Sequence, residues 1–279
     1  MAIGGESMNL EQKYQQSLDA LVEYARNAGF TDMVIGLSGG IDSSLVAAMC
    51  TEAFGCDHVH GYMLPGPYST DHSLKDARDL ATNLGITAEV ISILEPYEGF
   101  ERALERAMGG ELTGLAMENT QARCRMVCLM ALSNRFGWML VNTGNKSEAA
   151  MGFSTLYGDT AGAFAPLGGL YKTDVFALAR WVNERAVAAG QVAPIPENVL
   201  IKPPSAELSP GAQDEKSMGI DYATLDKILI AHYEQGKTVE EMTAEGFSAQ
   251  QVEETLRRVE SYAYKRAMEP PFPTAKFYE

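Results

Sequence analysis

The residues best placed to do chemistry lie in one short stretch, Gly36-Leu37-Ser38-Gly39-Gly40-Ile41-Asp42-Ser43-Ser44. It follows the apolar run Met33-Val34-Ile35-Gly36-Leu37 and leads into a helical pattern. Two adjacent glycines let a backbone turn tightly and aim N–H groups at an anion. The helix start adds its positive dipole end, and Ser38, Ser43 and Ser44 add hydroxyl donors. Asp42 would repel a phosphate unless it holds a Mg²⁺ that bridges to it. Taken alone, Asp42 or Ser43 also reads as a helix cap; the strand before and the helix after favour an anion site. No Lys follows the glycines, so this is not the G-x-x-x-x-G-K-[ST] loop. A relaxed match to that loop at 231–238, A-H-Y-E-Q-G-K-T, follows a helix, lacks the leading glycine and runs into Glu240-Glu241. It reads as a decoy.

The surrounding pattern must deliver that turn to the end of a strand. Residues 11–28 have Leu18, Leu21, Val22 and Ala25 at helical spacing. Strands are expected at 33–37, 58–64, 88–93 and 138–141, with helices at 43–53, 71–84, 98–108 and 119–136 between them. The alternation predicts an α/β fold, parallel strands with helices on both faces. Ligands in such sheets sit beyond the carboxyl ends of the strands. Residues 146–171 are Gly-rich without clear period and are expected to form a long, partly mobile loop. Residues 173–188 resume as a helix, 195–210 carry many prolines and should be extended, and 221–234 and 249–268 are helical again.

Bulk properties narrow the class. The 279 residues include 22 Lys and Arg against 37 Asp and Glu, a formal charge of −15, and such a surface opposes a nucleic-acid partner. No apolar run approaches the ~20 residues of a membrane span, and the polar start, Met1 to Asn9, lacks the apolar core of a secretory signal. The four cysteines, Cys50, Cys56, Cys124 and Cys128, form no C-x-x-C pair and read as reduced thiols of a cytoplasmic protein.

The Ser38–Ser43 turn resembles the S-G-G-x-D-S loop of the ATP pyrophosphatases, which cleave ATP between its α- and β-phosphates. Further segments resemble NAD synthetases, in that family's order: Leu64–Ser69, Glu118–Met126, Thr143–Glu148, Gly152–Asp159, Leu170–Thr173, Lys202–Leu208, Asp214-Glu215 and Tyr264–Arg266. The resemblance covers residues 10–273. It implies a doubly wound parallel sheet flanked by helices, adenine nucleotide alpha-hydrolase-like, with additional C-terminal helices, in a single domain over 1–279 with no glutaminase domain.

The resemblance also implies roles. Gly36, Leu37, Ser38, Gly39, Gly40, Ile41, Asp42, Ser43, Thr143, Lys172 and Ser205 would contact ATP, the co-substrate. Asp42 and Glu148 would share Mg²⁺, two carboxylates and a triphosphate being a reasonable shell for it. Lys172 would stabilise the departing pyrophosphate. Asn119 and Arg123, one helical turn apart, would meet deamido-NAD together with Phe153, Ser154, Thr155, Leu156, Tyr264 and Lys265. Taken singly, Glu148 reads as a first-turn helix carboxylate and Lys172 as a surface lysine. The implied activity is a ligase reaction: adenylation of the deamido-NAD carboxylate, then attack by ammonia, in a homodimer. Many short, ammonia-using members carry His-Lys-Arg where this chain has Tyr264-Lys265-Arg266, and Lys where it has Leu156. These positions look more like the synthetase domain of glutamine-dependent members. With no room for their glutaminase domain, free ammonia is the expected nitrogen donor, and a separate glutaminase subunit is the other route to it. Two rival readings are another ATP pyrophosphatase, such as a GMP synthetase or a tRNA-thiolating enzyme, and a non-catalytic nucleotide sensor. The acidic surface opposes the tRNA reading, and Asp42, Glu148 and Lys172 together oppose the sensor.

Overall fold

The computed structural model describes residues 8–278; residues 1–7, the greater part of the start read above, and Glu279 lie outside the described residues. In chain order the elements are α1 (Leu10–Ala28), β1 (Met33–Gly36), α2 (Ile41–Phe54), β2 (Val59–Met63), α3 (Asp71–Leu84), β3 (Thr87–Val90), α4 (Leu94–Met108), α5 (Gly114–Phe136), β4 (Met139–Leu140), α6 (Lys146–Met151), α7 (Lys172–Ala188), α8 (Glu197–Ile201), α9 (Asp214–Met218), α10 (Tyr222–Leu229), α11 (Val239–Ala244), α12 (Ala249–Ser261) and α13 (Ala263–Arg266).

The four strands form one parallel sheet in the order β3-β2-β1-β4. The chain winds outward from β1 through β2 to β3, then returns to place β4 on the other side of β1. That reversal between β1 and β4 opens a crevice at their carboxyl ends, where ligands of such sheets bind. The turn 37–40 and the segment 142–145 leave from the two sides of it.

Met33, Val34 and Ile35 of β1 are buried on both faces, as a central parallel strand requires. On one face β1 packs with α1, α2, α3 and α7, through residues such as Leu21, Leu45, Met49, Leu80 and Leu178. On the other, Val34, Tyr62 and Leu140 meet Tyr97 of α4 and Cys124 and Leu129 of α5. The expected two-faced α/β sheet is therefore present. α2 is apolar nearly all round because it is enclosed between the sheet and its helical neighbours. A further core joins α6 to α10, α11 and α12 through Met151, Leu225, Leu229, Met242 and Val252, supplying the additional C-terminal helices.

Several boundaries depart from the sequence reading. Residues 146–171 are a loop only in part: 146–151 are α6, whereas 152–171 have no regular element but bury Phe164, Leu167 and Leu170 in the main core. Phe164 even bridges Val141 in parallel, prolonging the sheet edge beyond β4. α4 begins at Leu94 rather than 98, with Pro96 in its first turn, where a missing N–H costs nothing. α5 begins at Gly114 rather than 119. The proline-rich 195–210 contains the short α8. The last long helix breaks at Tyr262, which joins α12 to α13, and residues 230–234 of the decoy region close α10 with a π-turn. There Thr238 accepts from Glu241 N–H as a helix cap, so the K-T pair starts a helix rather than cradling an anion. Among the described residues no helix is long and apolar enough to cross a membrane.

Candidate active site

The turn after β1 is shaped for an anion. Gly39 has φ of 75°, and a Cβ there would stand 2.2 Å from the Ser73 carbonyl oxygen, so only glycine lets the turn lie against the start of α3. Ser38 Oγ accepts from Gly40 N–H at 3.1 Å and lies 3.0 Å from Ser43 Oγ. Gly40, the N-cap of α2, has no side chain to satisfy the helix's first amides, which are left for a ligand.

Beside this turn three ionic groups meet. Lys172 Nζ donates to Asp42 Oδ2 at 2.6 Å and to Glu148 Oε1 at 2.8 Å. The lysine side chain is 1% exposed, the two carboxylates 17% and 18%. Asp42 comes from the first turn of α2, Glu148 from α6 and Lys172 from the first residue of α7. Asn145 links two of them: its Nδ2 donates to Asp42 Oδ1 at 2.8 Å, while its Oδ1 caps α6 at Glu148 N–H, 3.0 Å away. Tyr222 of α10 sets its ring 5.2 Å below the ammonium and its hydroxyl 3.4 Å from Glu148 Oε1.

The electrostatics follow from burial. Burial opposes the charge of Lys172, but Asp42 and Glu148 outweigh it and hold the ammonium above its ordinary range. Burial likewise pushes the Glu148 carboxyl up, with Lys172 pulling the other way. Asp214, buried nearby and accepting from Ala206 N–H at 3.1 Å, is pushed up to about 6 by the same desolvation.

The ionic cluster lines a cavity of about 750 Å³ that runs from the turn towards α13. The family model of NAD synthase matches residues 13–269. The chain belongs to the NAD synthase family. It is 43% identical over 256 residues to the glutamine-dependent NAD(+) synthetase of Thermotoga maritima, covering 92% of this chain and 44% of that one. The chain thus spans less than half the length of this relative. Among solved structures it is similar to an NMN synthetase from Francisella tularensis (TM-score 0.76, 29% identity, 93% of this chain and 96% of that one). It is also similar to an NH3-dependent NAD synthetase from Campylobacter jejuni (TM-score 0.72, 28% identity, 92% and 96%).

Most residues that the NAD synthase resemblance singled out line this cavity. Around the 36–44 turn these are Gly36, Leu37, Ser38, Gly40, Ile41, Asp42, Ser43, Thr143, Glu148, Lys172 and Ser205. Towards α13 they are Asn119, Phe153, Ser154, Thr155, Tyr264 and Lys265. Gly39, Arg123 and Leu156 do not line it. Gly39 instead shapes the turn, and Arg123 Nε donates to the Leu156 carbonyl at 3.1 Å on the outer side of α5. Ser205 Oγ donates to the Ala212 carbonyl at 2.6 Å, closing the 205–212 turn. Lys265 Nζ donates to the carbonyls of Gly152 and Ser154 at 2.8 and 2.5 Å, stapling that wall of the cavity to α13. Thr155 Oγ1 donates to Asn119 Oδ1 at 2.7 Å, joining the wall to α5.

Among the cavity residues to which the sequence reading gives no individual role are Asn145, Asp214, Arg125 and Asp159. Asn145 had a local signal, an Asn three residues before Glu148 at a helix start. Arg125 lies two positions past Arg123, and its Nε donates to the Leu64 carbonyl at 3.0 Å. On a helix those two arginines face apart, and it is Arg125 that reaches the cavity. Asp159 Oδ1 accepts from Thr155 N–H at 2.5 Å. Tyr222, beneath the ammonium, is a lone aromatic for which the sequence has no signal.

Proposed function

We propose that this chain uses ATP to convert the carboxylate of deamido-NAD to the amide, with ammonia as the nitrogen donor, releasing AMP and pyrophosphate. The observation that carries this reading is the buried Lys172 ammonium held between Asp42 and Glu148 beside the uncapped start of α2.

A Mg²⁺ suits these residues. Asp42 and Glu148 already converge on one small cation, the lysine ammonium, and among the described residues no third His, Cys, Asp or Glu joins them as a metal group. Two carboxylates alone do not fill an octahedral shell, which matches an ion that keeps waters and arrives with a triphosphate. Bound there, the ion would neutralise phosphate charge. The protein's own groups do the rest. The amides after Gly40 and the Ser38 and Ser43 hydroxyls bind phosphate oxygens, and Lys172 offsets the charge that gathers as pyrophosphate leaves. Asn145 fixes the Asp42 carboxylate. The wall of Phe153–Thr155, held by Lys265 and Asn119, positions the acceptor carboxylate and limits water around the acyl-adenylate. No side-chain nucleophile is required, because ATP itself supplies the leaving group. The large apolar residues Leu115, Val127 and Phe136 stand exposed on α5, which supports the expected homodimer; sedimentation of the purified protein tests it.

The deciding experiment measures NAD from ATP, Mg²⁺ and deamido-NAD with either ammonium or glutamine. Product with ammonium alone is expected. Product only with glutamine and a second protein would assign the nitrogen supply to a separate subunit. Amidation of nicotinate mononucleotide in preference to deamido-NAD would replace the proposed acceptor with the smaller one.

A further inference from the structure

The first turn of α7 carries Lys172, and three successive amides there are each taken by a side chain from a different part of the chain. Tyr171 N–H donates to the Tyr278 hydroxyl at 3.0 Å, Lys172 N–H to Ser147 Oγ at 2.8 Å, and Thr173 N–H to Asp226 Oδ2 at 2.8 Å. The Ser147 hydroxyl in turn donates to Asp226 Oδ1 at 2.5 Å. The opening amides of a helix have no partner inside it, and the N-cap residue of α7, Tyr171, supplies no side-chain cap. Three fixed acceptors around one turn set both the height and the rotation of the helix start, and so the direction in which Lys172 points.

Two of these supports belong to helices, α6 and α10. The third does not: Tyr278 lies beyond α13 in a segment without regular structure. Its hydroxyl works in both directions, accepting from the Tyr171 amide and donating to Asp174 Oδ2 at 2.5 Å. Asp174 also takes Lys13 Nζ at 2.8 Å. The Tyr278 ring is held separately, with Lys13 Nζ 4.2 Å from its centroid and the Tyr171 ring tilted against it at 4.9 Å. Its neighbour Phe277 is buried in the main core and anchors the segment. Packing and hydrogen bonding are therefore divided: the ring could be kept by any aromatic, while only the hydroxyl ties the Tyr171 amide to Asp174.

We propose that Tyr278 is a positioning residue for Lys172, its hydroxyl setting the first turn of α7 so that the ammonium points between Asp42 and Glu148. The inference rests on the reading of Lys172 as the group that offsets phosphate charge.

The test is Tyr278→Phe, which keeps the ring and removes the hydroxyl. Pyrophosphate release is expected to fall about tenfold in kcat with KM for ATP changed less than about twofold. In a Lys172→Met background the same substitution is expected to change the residual kcat by less than about twofold, since the group it positions is gone. Phe277→Leu controls for packing of the segment: it lowers Tm and leaves kcat unchanged at temperatures where the protein is folded. An unchanged kcat in Tyr278→Phe, an equal loss in both backgrounds, or an equal loss in Phe277→Leu overturns the inference. Hydrogen exchange at the Tyr171, Lys172 and Thr173 amides reads the same seat without catalysis. Faster exchange in Tyr278→Phe is expected, and unchanged protection overturns the inference. A parent protein that forms no NAD while Tyr278→Phe still loses this protection would instead sink the function assigned above.

Discussion

Replacing Lys172 by Met removes one charge while keeping much of the side chain's bulk, and the structure says what should follow. The Asp42 and Glu148 carboxylates that shared the ammonium, at 2.6 and 2.8 Å, are left facing each other. At a separation of roughly 5 Å and an effective dielectric of about 20, two unit charges repel by about 3 kcal/mol. That lies at the lower edge of the ~3–5 kcal/mol lost on breaking a buried ion pair. Retaining a proton on one carboxylate relieves the repulsion, so the loss of stability should be larger at pH 8 than at pH 6, as read by urea denaturation. Catalysis should suffer separately: loss of one preorganised donor to developing charge lowers kcat by ~10²–10³. A pyrophosphate-release assay with ATP, deamido-NAD and ammonium gives that number. Pyrophosphate release within about threefold of the parent would show that Lys172 only neutralises its neighbours and takes no part in the transition state.

Other substitutions probe the frame around that group. Burial raises the Asp214 carboxyl from 3.8 to about 6. Between those values the native state keeps a proton the unfolded chain has released, so this group's contribution is full below pH 4 and is lost as pH rises through 6, by about 3 kcal/mol. Asp214→Asn should therefore be more stable than the parent at pH 8 and equal to it near pH 4; parallel denaturation curves at both pH values would refute this. Gly39→Ala places a methyl 2.2 Å from the Ser73 carbonyl oxygen at φ of 75°. It should cost at least about 2 kcal/mol and weaken ATP binding in calorimetry. Asn145→Ala removes both the α6 cap and the bond to Asp42. A loss of about 1 kcal/mol in stability is expected from the cap, with a kcat loss near tenfold from the freed carboxylate; an unchanged kcat would show that Asp42 needs no second anchor.

The parts of the site that sequence reasoning reached are local ones. The 36–44 turn is legible because strand, glycine pair and helix start are contiguous, and the parallel sheet with its site at the strands' carboxyl ends follows from the alternation of elements, whereas the pairing of β1 with β4 comes only from the fold. The 152–171 segment is the loop its composition predicts, but its burial is not legible, because Phe164, Leu167 and Leu170 follow neither helix nor strand spacing and are buried by neighbours that only the folded chain supplies. Arg125 was legible from helical spacing, since it shares the inward row of α5 with the buried Gln121 and Leu129. The clearest difference concerns Lys172. As a residue type it reads as a solvated cation, yet packing of α6, α7 and α10 leaves it almost without exposure, with Tyr222 beneath it. No window of sequence contains those neighbours together.

The spacing of these contacts has a consequence for synthesis. Lys172 joins Asp42 across 130 residues, Tyr222 joins Glu148 across 74, and Tyr278 reaches back 107 residues to the start of α7. Each is a long loop that closes late, after local helices and turns have formed. A ribosome-bound chain that has emerged only through β4 can form the phosphate turn but has neither ammonium nor the seat that aims it. On the function proposed above, such a half-made chain has the turn without the ammonium that would offset phosphate charge, and the full rate waits for the segment that carries Tyr278.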